Sequence, residues 1–368
     1  ADVVAIFKGL QFAVDERNDG WELTPPSHRF DIALEADLIE EVARIYGYDR
    51  IPEATASAET PLETVSESSV PVDRAATTLI ARDYREAITY SFIDRAADAL
   101  VAGAESSLEL KNPISSEMAV LRSSLWPGLL QAASANLARQ QDRVRLFEIG
   151  RSYHGSLTEH NEVMRIAAIA TGAAFSEQWA SKPRNIDFFD VKADVVALLD
   201  LAGIEDVGFE PCEHPALQPG QAATVMRAGE AIGLLGKVHP SVAKHFDVTR
   251  DVFVFELDAE AALASSAPRA AAVSRYPSIR RDIAVVVPGS VSGADLIRAI
   301  RETNDSLIQG VRIFDIYTGS GIEAGRKSVA LGLILQETSR TLTDDDADTA
   351  IALAVQKLQH EFGAELRD

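Results

Sequence analysis

The stretch Pro26-Ser-His-Arg29-Phe30-Asp31-Ile-Ala-Leu-Glu-Ala-Asp37-Leu38-Ile39-Glu40-Glu41-Val-Ala-Arg44-Ile45-Tyr46-Gly47-Tyr48 runs from a proline-led extended segment into an amphipathic helix. Asp37, Glu40 and Glu41 stand at i, i+3 and i+4, which places them on one helical face. Leu38, Ile39, Val42 and Ile45 take the other face and are expected to be buried. Asp31 lies on the incoming segment, near enough in sequence to fold back over the same turn. Carboxylates packed this closely repel one another unless a cation sits among them. The donors are oxygens, so a hard cation, magnesium first, suits them. A plainer reading uses the same residues. Asp37 with Glu40 spells a capping box, and acids in a first helical turn are favoured by the helix dipole. Spacing alone leaves both readings open, the cap being the commoner arrangement.

With 368 residues, 46% of them hydrophobic, the chain can build more than one core. No apolar run approaches the ~20 residues of a membrane span. The single cysteine, Cys212, excludes an internal disulfide and a cysteine-rich zinc site, which points to the cytoplasm. The opening residues carry neither an initiator Met nor the blocks of a secretory signal. Val3, Val4, Ile6, Phe7 and Leu10 read as helix already in progress, so a fragment lacking its N-terminal part is expected. A net charge of −21 argues against a wholly basic nucleic-acid binder. It leaves room for a local basic face.

Two seams divide the chain. Residues 53–72 are rich in Ser, Thr, Glu, Ala and Pro without apolar periodicity and read as a linker; a shorter linker falls at 265–273. Between them, residues 73–264 mix strands (87–93, 144–149, 252–257) with a helix from Leu125 to Arg139, in which Pro127 is tolerated in the first turn. Without a regular strand–helix alternation, this predicts an antiparallel-rich α+β domain. Residues 274–368 read as βαββαβ, the ferredoxin-like layout. Strands are expected over 283–287, 311–317 and 328–335. Ser292 caps a helix striped by Leu296, Ile297 and Ile300. Thr343 or Asp344 caps a second, striped by Ile351, Val355, Leu358 and Phe362, ended by Gly363 and followed by a last short strand over 364–367.

Gly321-Ile-Glu-Ala-Gly325-Arg-Lys327-Ser328 imitates a phosphate-binding loop, but it has one residue too few between the glycines, and a strand rather than a helix follows. Gly319, Gly321 and Gly325 read instead as a hairpin loop needing positive φ. Arg275, Arg280 and Arg281 flank Tyr276 and Pro277, with Arg326, Lys327 and Arg340 on later turns. Arg beside an aromatic ring suits single-stranded RNA, the guanidinium on phosphate and the ring on an unstacked base. A solvated entry loop is the bland alternative.

The segment Pro25-Pro-Ser-His-Arg-Phe-Asp through Arg50-Ile-Pro52 resembles the end of the winged-helix-like module in the bacterial phenylalanyl-tRNA synthetase β-subunit family. Only His28, where the family usually has Trp, departs locally. Tyr84-Arg-Glu-Ala-Ile-Thr-Tyr-Ser-Phe92, Asn112-Pro-Ile-Ser, Leu121 to Leu130, Arg145 to Arg151, Asp187 to Lys192 and Gly233 to Pro240 resemble its middle domain. Ser274 to Val286, Phe314 to Gly319, Gly325 to Ala330 and Arg340 to Asp344 resemble its closing anticodon-binding domain. The resemblance covers nearly the whole chain in family order.

It implies a multidomain α+β protein. The parts are a partial winged-helix-like magnesium-binding module (1–52), a class II synthetase-like domain without an active site (73–264) and a ferredoxin-fold anticodon-binding domain (274–368). It implies that Asp31, Asp37, Glu40 and Glu41 bind Mg2+ at a contact with an α subunit. The expected assembly is a cytoplasmic α2β2 ligase charging tRNA(Phe) with phenylalanine, ATP being a substrate of the complex and adenylation lying on α. The basic and aromatic residues Arg275, Tyr276, Arg280, Arg281, Arg326, Lys327 and Arg340 are the expected tRNA contacts. In agreement, the sequence has no GxGxGx[DE]R string of the kind class II adenylation uses. Two other classes stand beside this: a free-standing RNA-binding scaffold, and a magnesium-dependent hydrolase using the acidic cluster.

Overall fold

The computed structural model describes residues 2–54, 68–102, 107–156, 159–203, 207–265, 273–303 and 306–367. The chain divides into two compact units, Ala1–Val65 and Ser66–Asp368. Most of the first linker (55–67) and of the second (266–272) lies outside the described residues. The end of the first linker is not a linker at all. Val70 is buried in the middle domain's core and its N–H donates to the Leu263 carbonyl, while Ser69 bridges Ala264.

The first unit runs α1 (Asp2–Gly9), β1 (Ala13–Arg17), β2 (Gly20–Thr24) and α2 (Glu35–Tyr46), with β1 and β2 an antiparallel hairpin. Among its described residues the buried apolar ones are Phe7 and Phe12, whose rings meet at 5.3 Å. The expected burial of the apolar face of α2 fails at two positions. Leu38 and Val42 are half-buried, but Ile39 is 62% exposed and Ile45 is exposed too.

The middle of the second unit contains α3 (Val72–Ala81), β3 (Arg85–Glu86), β4 (Phe92–Ile93), α4 (Arg95–Ala102), β5 (Leu108–Glu109), β6 (Val120–Leu121), α5 (Trp126–Ala138), β7 (Val144–Gly155), β8 (His160–Thr171) and α6 (Phe188–Asp200). It continues with β9 (Val207–Pro211), β10 (Leu217–Arg227), β11 (Glu230–Val238), α7 (Pro240–His245), β12 (Val252–Asp258) and α8 (Ala259–Leu263). Seven strands form one sheet in the order β3-β7-β8-β12-β11-β10-β9, antiparallel except for the β3–β7 pair. Strand alternation splits its side chains between two cores. Phe147, Ile166, Ala168 and Phe255 pack with α3, α6 and α8, and Leu146, Ala167, Ile169 and Val254 pack with α4, α5 and α7. Each large side chain so buried contributes about 1.5–3 kcal/mol. The antiparallel α+β reading holds.

The strand expected over 87–93 does not form as such. Only Phe92 and Ile93 pair, with β6, in a small sheet of β4, β6 and β5. The Ala87 N–H still bonds to the Phe147 carbonyl of β7, but Thr89 gives its hydroxyl to the Glu148 carboxylate at 2.7 Å, which interrupts backbone pairing in mid-segment.

The last domain runs β13 (Ile279–Pro288), α9 (Gly293–Arg301), β14 (Ile308–Tyr317), β15 (Arg326–Leu335), α10 (Asp344–Phe362) and β16 (Glu365–Leu366), with sheet order β14-β15-β13-β16. This is the ferredoxin-like arrangement. Ser292 and Thr343 cap the helices through capping boxes with Asp295 and Asp346, and Gly363 closes α10 in the left-handed region at φ 60°. The deepest residues of α10 are Ala347, Ala350 and Ala354 beside Leu358, small enough to let the helix lie close on the sheet. Gly321 and Gly325 have positive φ, as expected; Gly319 does not. A side chain on Gly319 would collide with the Tyr317 ring.

Candidate nucleic-acid interface and acidic cluster

Arg29 organises the acidic stretch. Its Nη2 donates to Asp31 at 2.7 Å and to Glu41 Oε1 at 3.0 Å, and its Nη1 donates to Glu41 Oε2 at 3.1 Å. Arg44 adds a bond of 2.5 Å to Glu41 from the next turn. Glu41 is the one buried residue of α2. The hydrogen bonds from Arg29, then Arg44, hold its carboxyl at about 2 against an ordinary 4.5. The Arg29 guanidinium likewise holds Asp31 at about 2.

Asp37 does a different job. Its Oδ2 accepts from the backbone N–H of Ala33 and of Leu34, both at 2.8 Å, and these bonds lower its pKa. The helix therefore starts at Glu35 with Asp37 reaching back to Leu34, and the capping partner expected at Glu40 is not used. Glu40 is exposed, and its carboxylate has no hydrogen bond or ion pair among the described residues. Asp31 is close enough to Asp37 to push its pKa upward, so the structure links Asp31 to Asp37 and, through Arg29, to Glu41. Among the described residues no three acids, His or Cys form a ready metal cage. The oxygen donors suit a hard cation, but at Asp31 and Glu41 a guanidinium already supplies the positive charge.

In the last domain the expected basic residues separate into distinct roles. Arg326 is not on a turn but opens β15. It ties the domain shut, with Nη1 to Glu365 at 2.6 Å and Nη2 to the Val286 and Gly363 carbonyls at 3.0 and 3.2 Å. Lys327, next in the strand, donates to the Gly289 carbonyl. Arg281 faces the helices and pairs with Asp344 at 2.5 Å, and Arg340 pairs with Asp346 and Glu337. Arg275 is exposed, and Tyr276 beside it is held by its backbone to Ser274 and Gln336. Arg280 lies on the sheet face away from the helices. Its Nε donates to Asp282 at 2.8 Å and its guanidinium sits 5.2 Å over the Phe314 ring.

That face was missed in the sequence. Ile283, Val285 and Val287 of β13 and Val329, Leu331 and Leu333 of β15 point to the helices. Their alternates Ala284, Ala330 and Gly332 form a low floor on the other side. Around it stand two exposed rings, Phe314 under Arg280 and Tyr317 under Arg367 at 5.3 Å. A side chain on Gly332 would come within 3.1 Å of the Arg280 guanidinium. Strict alternation puts residues three apart on opposite faces. The bulge between Ile313 and Asp315 resets it, so Phe314 and Tyr317 share one face. The result is two aromatic rings, each with a cation, on a flat floor, an arrangement that can stack unpaired bases and hold phosphates.

Comparison with known proteins accounts for the whole order of domains. The family model described as the phenylalanyl tRNA synthetase beta chain CLM domain matches residues 51–259, more than half of the chain. The tRNA synthetase B5 domain matches 1–48, and the ferredoxin-fold anticodon binding domain matches 274–367. The chain belongs to the phenylalanyl-tRNA synthetase β-chain family. It is similar to the phenylalanine–tRNA ligase β subunit of Methylococcus capsulatus, 44% identical over all of this chain and 46% of that protein. Those of Pseudomonas syringae and Shewanella oneidensis are 42% and 41% identical, again over all of this chain and 47% of each. The chain thus spans about half the length of the curated relatives it matches. No helix of the described residues is long and apolar enough to cross a membrane.

Proposed function

We propose that this chain serves as part of the β subunit of a cytoplasmic phenylalanine–tRNA ligase, supporting the ATP-dependent charging of tRNA(Phe) while the adenylation chemistry resides on an α subunit of an α2β2 assembly. The observation that carries the RNA-binding role is the open sheet face with Phe314 and Tyr317 beneath Arg280 and Arg367. Arg275, Tyr276 and Arg280 stand free enough of helix contacts to extend it. Arg281, Arg326, Lys327 and Arg340 serve this surface by bracing it. The relatives' names supply the ligase context and the β-subunit role. No observation favours a free-standing scaffold or a hydrolase.

Magnesium belongs to the same proposal, with Asp31, Asp37, Glu40 and Glu41 as its holders. Uptake requires Arg29 to yield at least one of the carboxylates it now binds. Bound there, the cation would neutralise acids brought against a partner subunit. Asp37→Ala and Glu41→Ala are expected to weaken assembly with α more than they unfold the chain.

The test is binding of a tRNA(Phe) anticodon stem-loop to the chain across a salt series, beside loops with altered anticodons. Anticodon-dependent binding, weakened by Phe314→Ala, is expected. Equal affinity for every loop, unchanged in the variant, overturns the RNA-binding role assigned to this face.

A further inference from the structure

On the α5 side of the seven-stranded sheet lies a cavity of about 280 Å³. Its polar groups are held apart instead of neutralising one another. Glu256 of β12 stands beside Ala167 of β8, and Arg165 lies two residues before Ala167, so the two charges are diagonal neighbours on one face. They form no ion pair. Glu256 Oε2 accepts from the Ser124 hydroxyl at 2.9 Å and the Leu125 N–H at 2.8 Å, leaving Oε1 without a hydrogen bond from the described residues. Arg165 spends its Nε on Ser152 at 3.2 Å and keeps only a distant contact with Asp258, at 3.9 Å.

Two serines and two histidines share the rest of the lining with an apolar wall. The buried Trp126 indole donates to the Phe255 carbonyl at 3.1 Å and meets the His214 ring edge-on, with Val101 and Leu234 alongside. Burial lowers the pKa of His214 and, with the help of Arg165, that of His154, so neither imidazole supplies a charge at neutral pH. Burial also raises the pKa of Glu256, outweighing the Leu125 N–H, the Ser124 hydroxyl and the charges of Arg165 and Arg122, none of which pairs with it as an ion. One cation, one acid and an indole wall across a small cavity together describe a complementary guest. It carries both charges at one end and a compact apolar group at the other.

We propose that this cavity binds a free α-amino acid, its carboxylate on Arg165, its ammonium on Glu256 and its side chain against Trp126, Val101 and Leu234. The inference does not depend on the RNA-binding role, because it concerns a different domain and a different ligand. Isothermal titration of the chain with L-leucine, L-methionine and L-phenylalanine, each beside its N-acetyl and its amide derivative, tests it. At least one free amino acid is expected to bind saturably in the millimolar range or tighter, and both of its blocked derivatives at least about tenfold more weakly. Glu256→Gln and Arg165→Met are each expected to weaken the free amino acid by about the same factor, with circular dichroism reporting whether each variant is folded. Should either variant fail to fold, the blocked derivatives decide the matter on the parent chain alone. Absence of saturable binding by all three amino acids overturns the proposal. So does equal binding of free and blocked forms, which would make the cavity merely apolar.

Discussion

The seven-stranded and the four-stranded sheet use the same alternation of side chains to opposite ends. The larger is covered on both faces, by α3, α6 and α8 on one side and by α4, α5 and α7 on the other, and its polar groups are internal. Asp98 is fully buried yet satisfied by Ser107 and Ser123, and Arg122 meets Glu148 at 2.7 Å with both side chains about 5% exposed. The smaller sheet is covered on one face only. Its acids and bases pair at the rim, and its bare face carries rings and guanidinium groups. Covering both faces encloses polar groups and a cavity between sheet and helices. Leaving one face bare makes a surface for a flat ligand.

The largest expected effect tests the first half of that contrast. Arg122→Ala leaves Glu148 buried without its cation and should cost about 3–5 kcal/mol in chemical denaturation. The double change Arg122→Met with Glu148→Leu should recover much of that loss, since no orphaned charge remains. A single variant within about 1 kcal/mol of the parent would mean that water reaches this pair and that the face is not sealed.

On the open sheet, Phe314→Ala should cost about 1–3 kcal/mol in binding of the anticodon stem-loop, if a base stacks there, with the salt slope nearly unchanged. Arg280→Ala should instead reduce the salt slope by roughly 0.7–1 unit. Fluorescence anisotropy over a salt series separates the two. Identical behaviour of both variants would remove the distinction between ring and cation on which the surface is argued.

The contrast also explains what could be read in advance. The ferredoxin-like order was legible because its signals are local: Ser292 and Thr343 as caps, Gly363 as a stop, and apolar runs in β13 and β15. The acidic helix start was legible as a cluster, but Arg29 reaches Glu41 across twelve residues, and spacing on a helix does not reveal such a partner. The same is true of Arg281 with Asp344 and Arg326 with Glu365, which are 63 and 39 residues apart. Their charges looked available and are largely committed. Segment 87–93 has the composition of a strand, yet at Thr89 the Glu148 carboxylate from a distant strand takes both the N–H and the hydroxyl. The Phe314–Tyr317 pair was hidden by a bulge, which no alternation rule anticipates.

A smaller effect tests whether the rim of the four-stranded sheet is as local as it looks. Thr343 accepts from the Asp346 N–H and gives its hydroxyl to the Asp346 carboxylate, at the start of the helix that covers the sheet. Thr343→Ala should cost about 1 kcal/mol of stability, read by denaturation, and should leave the amino-acid titration unchanged. A cost several times larger would show that this cap holds more than one helix end.

The smallest effects are slopes with pH, and they should have opposite signs in the two domains. The Arg340 guanidinium, with the Thr343 N–H and hydroxyl, holds the Asp346 carboxyl well below its ordinary 3.8. Its contribution is therefore present above that ordinary value and is lost as pH falls through the lower folded one. Relative to the parent, Asp346→Asn should look worst at neutral pH, and the gap should narrow on acidification below 3.8. Glu256 behaves the other way. Burial raises its pKa above 4.5, so the folded chain binds its proton more readily than the unfolded chain does. Its contribution falls as pH rises from 4.5 through the folded value, above which the penalty is complete. Relative to the parent, Glu256→Gln should therefore gain stability across that window, measured without ligand by denaturation at a series of pH values. A flat difference for Glu256→Gln would mean that its carboxylate is already neutralised inside the cavity. The charge separation that sets the covered sheet apart from the open one would then be lost.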